Sequence, residues 1–264
     1  MTEFVAPDIS RRSKTWNHGV GAVVRSEPIQ AAVMLFAFAA AASGKPTPTV
    51  APKASSVGIE QRLNNQVPLD LKFRDETGQT VILGSYFGRT PVILSLVYYT
   101  CPMMCTEEEH GLVNALRDLQ SSVGSEYQVL TVSFDPRERP ELAMNQKNIY
   151  VGLYGRPGAS QGWHFLVGDE ASIHSLSQAV GFHYQYMPDI DIFSHPTGIM
   201  VLTPKGKVAS YFYGIQYPAQ GLHAALVDAA EEKIASPAEI DRRLQKGVAG
   251  GGNPPAARGP EEKQ

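Results

Sequence analysis

The sequence predicts an α/β fold: a mixed β-sheet flanked by helices, with an N-terminal β-hairpin. Three observations predict it. Two continuous apolar runs, Pro91 to Tyr98 and Tyr127 to Phe134, read as central strands buried on both faces. Segments with apolar residues at helical spacing separate the strands, as in Leu112, Val113, Leu116 and Leu119. Towards the C-terminal end, His195 to Thr203 and Lys207 to Tyr213 flank a Pro204-Lys-Gly206 turn, which reads as an antiparallel hairpin. Alternating strands and helices give parallel pairing and the hairpin gives antiparallel pairing, so the sheet is mixed.

In chain order, alternating Leu69 to Phe73 and the run Thr80 to Leu83 form the first hairpin, with Gly78 in the turn. The strand of Pro91 to Tyr98 leads directly to the two cysteines and then to a helix over Thr106 to Leu119. The second central strand ends at Asp135-Pro136, and Pro140 to Tyr150 reads as a helix with proline in its first turn. Trp163 to Val167 is a third strand, and Glu170 to Val180 a helix stopped by Gly181. A closing amphipathic helix is expected from about Leu222 to Ile234. This order resembles a thioredoxin-like domain, in which a dithiol sits where the first central strand meets its helix.

The chain of 264 residues is long enough for one sizeable core with extensions at both ends. With 43% hydrophobic and 19% charged residues and a net charge of −3, it lacks the basic footprint of a nucleic-acid binder. No Gly-rich loop follows a strand and opens a helix, so no nucleotide site is expected. Residues 1–44 read as an export signal or membrane anchor: Arg11, Arg12, Lys14 and Arg25 precede an apolar run from Ala31 to Ala42. That run falls short of the roughly 20 residues that span a bilayer, and Ala40 and Ala42 suit a signal-peptidase site. Pro-rich residues 45–58 are expected to form a linker, 59–244 the folded domain, and Gly-rich 245–264 a disordered tail. The expected location is the periplasm or the outer face of the cytoplasmic membrane.

Both cysteines of the chain, Cys101 and Cys105, lie in Cys101-Pro-Met-Met-Cys105. Cys101 is expected at the helix entrance with Pro102 near its first position, so that residues at i and i+4 bring both sulfurs to one point. Free amides at a helix start favour a thiolate, whereas Glu107, Glu108 and Glu109 oppose one. Two close thiolates either cycle with a disulfide or bind a soft metal ion, and their spacing alone does not choose.

From about Val67 to Ile234 the chain resembles the Sco/SenC family of copper-binding thioredoxin-like proteins. The resemblance is carried by Tyr98-Tyr-Thr-Cys-Pro-Met-Met-Cys105, Thr131-Val-Ser-Phe-Asp-Pro136 and Ser194-His-Pro-Thr-Gly-Ile-Met-Val-Leu-Thr-Pro-Lys-Gly206. It implies copper binding by Cys101, Cys105 and His195, and a role in assembling the copper centre of cytochrome c oxidase. The implied partner is the oxidase subunit that carries this centre, or another exported copper enzyme. Thr106 stands where many members have proline, which looks like a bacterial branch with its own client. Two thiolates and an imidazole satisfy Cu(I), or Cu(II) by a change of geometry, whereas structural zinc usually takes a fourth ligand.

Other residues compete for roles. His164, His174, His183 and His223 read as structural or surface histidines, and His110 as a weak fourth ligand. Met103 and Met104 offer thioethers, or simply pack. Asp135 either bonds near the site or caps the following helix. The alternative function is a thiol–disulfide reductase that uses the same two cysteines on a periplasmic client. A peroxidase site would need an isolated activated cysteine with an arginine near it, and none is close in sequence.

Overall fold

The computed structural model describes residues 57–102 and 104–245. The leader, most of the linker, Met103 and the tail beyond Gln245 lie outside the described residues.

The strands are β1 (Gly58–Ile59), β2 (Lys72–Arg74), β3 (Thr80–Ile82), β4 (Val92–Val97), β5 (Gln128–Ser133), β6 (Trp163–Gly168), β7 (Phe182–His183), β8 (Gln185–Met187), β9 (Ile192–Ser194), β10 (Gly198–Leu202) and β11 (Val208–Tyr213). The helices are α1 (Met104–Asp118), α2 (Pro140–Tyr154), α3 (Ala159–Gly162), α4 (Glu170–Ala179), α5 (Ala219–Ala230) and α6 (Pro237–Gln245). Seven strands form one sheet in the order β11-β10-β4-β5-β6-β2-β3. β4 pairs in parallel with β5, and β5 with β6. The flanking strands are antiparallel: β10 to β4 and β11 on one side, β2 to β6 and β3 on the other. This is the mixed α/β architecture expected from the sequence.

Every residue of β4 is buried. A strand in mid-sheet has no solvated face, which is why Val92 to Val97 reads as one apolar run rather than an alternation. α1 lies over this part of the sheet and packs against α2 and α5. It buries Cys105, Glu108, Glu109, Leu112, Val113, Ala115 and Leu116. Gly111 permits a close approach to the loop after β11: a Cβ there would lie 1.7 Å from the Ile215 carbonyl oxygen. α2 starts with Pro140 in its first turn and ends at Gly155, whose φ of 72° is left-handed.

The structure corrects the sequence reading at three elements. The closing helix expected to run to Ile234 is α5, which ends at Ala230, and a further helix that the sequence reading does not include, α6, starts at Pro237. Ser236 and Glu239 form a reciprocal capping box that starts α6, with Ser236 N to Glu239 Oε2 at 2.7 Å and Glu239 N to Ser236 Oγ at 3.3 Å. The stretch before His195 contains a separate hairpin, β8–β9, which pairs Tyr186 with Phe193 and is not among the elements expected from the sequence. The first hairpin is shorter than expected, because Leu83 already belongs to a 3-10 turn, Leu83–Tyr86.

Candidate metal centre

The end of β4 and the start of α1 frame the site. The Cys101 amide donates to the Tyr98 carbonyl at 3.1 Å, closing a turn, and α1 begins only at Met104. Cys101 therefore precedes the helix, Pro102 is not its first residue, and helical spacing does not bring the sulfurs together. With Cys101 in that turn and Cys105 in the first turn of α1, the two sulfurs lie within 4.8 Å of each other. Cys105 is buried at 5% exposure, Cys101 is half-buried, and no disulfide joins them.

His195 arrives from the opposite side, one residue past β9 and three before β10. Its Nε2 lies 3.4 Å from Cys105 Sγ and 4.0 Å from Cys101 Sγ. Its Nδ1 is 2.8 Å from the Pro196 carbonyl oxygen. A carbonyl only accepts, so Nδ1 carries a proton, and in the neutral ring this leaves the Nε2 lone pair facing the sulfurs. Tyr98 and Phe134 hold the ring, with centroids at 5.7 and 5.2 Å. One potential ligand atom from each of Cys101, Cys105 and His195 falls within 4.8 Å of the others; among the described residues this is the group of such side chains able to surround an ion.

The surroundings are electrostatically uneven. Hydrogen bonding to Cys101 and burial push the Cys105 thiol well above the ordinary thiol range. Under the dithiol, Glu108 and Glu109 are both buried. Ser95 Oγ donates to Glu109 Oε1 at 2.7 Å, and Thr131 Oγ1 lies 3.4 Å from Oε2. Burial raises Glu109 to about 7 and Glu108 well above the carboxylate range, and Oε2 of Glu108 has no hydrogen-bond partner. The three glutamates after Cys105 are thus no solvated acidic cluster: Glu107 is exposed and the other two are buried.

Asp135 does not cap the following helix, whose N-cap is Arg139. It is 2% exposed, and its carboxylate binds Arg137, accepting from the Arg137 amide at 2.9 Å and from the guanidinium at 2.8 Å. Its connection to the site is indirect. The other histidines among the described residues stay out: His110, His174 and His223 are exposed, His164 lies against Tyr86, and His183 faces Glu60. Met104 is 44% exposed at the start of α1.

Sequence reasoning missed Glu138. Its carboxylate, 5% exposed, accepts from the Tyr99 and Thr100 amides (2.7 Å each), Thr100 Oγ1 (2.8 Å) and Ser133 Oγ (2.6 Å). It thereby fixes the backbone immediately before Cys101. The available signal was a charged residue within a short loop that continues a buried strand.

The family described as SCO1/SenC matches the chain over residues 60–230. The chain belongs to the SCO1/SenC family. Among solved structures, a candidate electron transfer protein from Aquifex aeolicus VF5 is 26% identical, with a TM-score of 0.57 over 64% of this chain and 95% of that one. BsSco, a member of the Sco family of cytochrome c oxidase assembly proteins in which a disulfide switch was identified, is 19% identical. Its TM-score is 0.52 over 66% of this chain and 99% of its own. Arabidopsis thaliana ScoI with copper bound is 18% identical, with a TM-score of 0.49 over 61% and 96% of the two chains. No curated protein matches this SCO1/SenC chain in sequence.

Proposed function

We propose that this SCO1/SenC protein is an exported copper carrier: Cys101, Cys105 and His195 hold the ion as cargo, and the client is the copper centre of a respiratory oxidase. The observation that carries the reading is the convergence of two sulfurs and one imidazole nitrogen within 4.8 Å. An ion with bonds of about 2.0–2.3 Å to sulfur and nitrogen keeps its donors roughly 3.5–4.0 Å apart. The distances from Nε2 to the sulfurs are close to that span: 4.0 Å at its upper end and 3.4 Å just below its lower end. The donor set is soft, three in number and partly open through Cys101, which suits Cu(I) and allows it to leave. Family membership supports the oxidase as client, and the leader, outside the described residues, supports export.

A second reading has its own observation. Cys101 is half-buried while the Cys105 thiol is buried and raised, an asymmetry that would make Cys101 the attacking thiol of a disulfide reductase.

Titration of the reduced protein with Cu(I) separates the two. The carrier reading expects one tightly bound equivalent, lost in His195→Ala and in Cys101→Ser while the fold is kept. Absence of binding by the native protein, with the dithiol still exchanging with a model disulfide, would leave the reductase reading alone. Binding that ignores His195→Ala would contradict the proposed ligand set.

A further inference from the structure

His195 is attached to the β8–β9 hairpin, which pairs with no strand of the seven-stranded sheet. A two-stranded hairpin is marginal by itself in water, so its pose depends on what fastens it. One fastening is apolar: the Phe193 ring lies among Tyr98, Phe134 and Tyr184 at 5.4, 5.6 and 5.8 Å. The other is Arg137. Its guanidinium grips Asp135 as a fork, with Nε to Oδ1 at 2.9 Å and Nη2 to Oδ2 at 2.8 Å. Nη1 then reaches Asp191 Oδ1 at 2.7 Å, an oxygen that also accepts from the Tyr186 hydroxyl at 2.8 Å. The same guanidinium lies over the Tyr186 and Phe193 rings at 5.0 and 5.5 Å.

Arg137 thus touches both strands of the hairpin and its turn. Asp191 has a φ of 50°, a left-handed conformation that an L-residue adopts at some cost, and the two hydrogen bonds to its carboxylate offset that cost. The Arg137–Asp191 pair itself is 52% and 71% exposed, and such a pair alone contributes little. The hold comes from the fork onto buried Asp135 together with the two stacked rings.

We propose that Arg137 is a positioning residue: it latches the β8–β9 hairpin to the Asp135 loop and so sets how fast His195 leaves the two sulfurs, and with it the rate at which bound copper is surrendered. The copper half of this statement rests on the ligand set proposed above; the mechanical half does not.

Two measurements on the full chain test it, with Arg137→Gln, Arg137→Lys and His195→Ala. In metal-free protein, amide hydrogen exchange between Gln185 and Ser194 should quicken by about ten-fold in Arg137→Gln, the factor that corresponds to ~1.4 kcal/mol. Arg137→Lys, which keeps the charge but lacks the planar fork, should fall between. β4 and β5 should exchange as in the native protein, and equal hairpin exchange in native protein and Arg137→Gln would overturn the latch. In Cu(I)-loaded protein, transfer to a Cu(I) chelator should be faster in Arg137→Gln with the stoichiometry retained. Adding Arg137→Gln to His195→Ala should change nothing further, because the latch acts through His195; an additive acceleration would overturn the proposal. If the native protein takes up no copper, the ligand set falls, and the exchange measurement still decides the latch.

Discussion

Glu138 shows how one side chain determines whether a site exists. Four donors point at its two oxygens, and two of them are the amides that lead into Cys101. An amide in its place offers one acceptor and turns an NH2 towards groups that only donate or are already committed. Glu138→Gln should therefore cost about 1–3 kcal/mol, the usual range for an unsatisfied buried polar group. Urea denaturation measures that cost, and the loosened Cys101 loop should weaken Cu(I) binding in parallel. An unchanged denaturation midpoint would show that the turn before Cys101 holds itself. Cys101 and Cys105 were legible in the sequence because chemistry concentrates there. Glu138 was not, since its value depends on the loop after β5 folding onto Tyr99 and Thr100 at the end of the neighbouring strand β4.

At the scale of elements, α1 carries Cys105 and its seating decides where that sulfur lies. Gly111 is the contact point: a Cβ there would meet the Ile215 carbonyl oxygen at 1.7 Å, which is backbone and cannot swing aside. Helix propensity favours alanine over glycine by about 1 kcal/mol, while overpacking against fixed backbone costs about 1–3 kcal/mol. The second effect should win, so Gly111→Ala should destabilise the protein and displace α1. A stabilised variant in chemical denaturation would mean that the loop after β11 yields freely. The strands β4, β5 and β6 and helices α1, α2 and α4 were readable because each has its own periodicity and stop signals. β8–β9 was not, because Tyr186 and Phe193 find their partners only in the folded chain. α6 carried a signal in Ser236-Pro-Ala-Glu239, but its charged sequence buries little beyond Ile240 and Arg243.

Across the whole molecule, the buried acids beneath the dithiol shape the pH dependence of stability. Burial raises Glu109 to about 7 and Glu108 well above the carboxylate range. The unfolded chain releases these protons at ordinary carboxylate pH while the folded protein keeps them. Stability from Glu109 is thus fully present at low pH and falls as pH rises towards about 7. Glu109→Gln should flatten the decline of the urea midpoint between about pH 5 and 7; parallel profiles for the two proteins would contradict this assignment. Among the described residues no helix is long and apolar enough to cross a membrane. The sheet, α1 and the His195 hairpin together deliver one outcome, three donor atoms brought to one point from distant parts of the chain. X-ray absorption at the copper edge of the Cu(I)-loaded protein tests that most directly. Two sulfurs at about 2.3 Å and one nitrogen at about 2.0 Å are expected, the nitrogen lost in His195→Ala. A copper shell without sulfur, or a nitrogen that survives in His195→Ala, would contradict it.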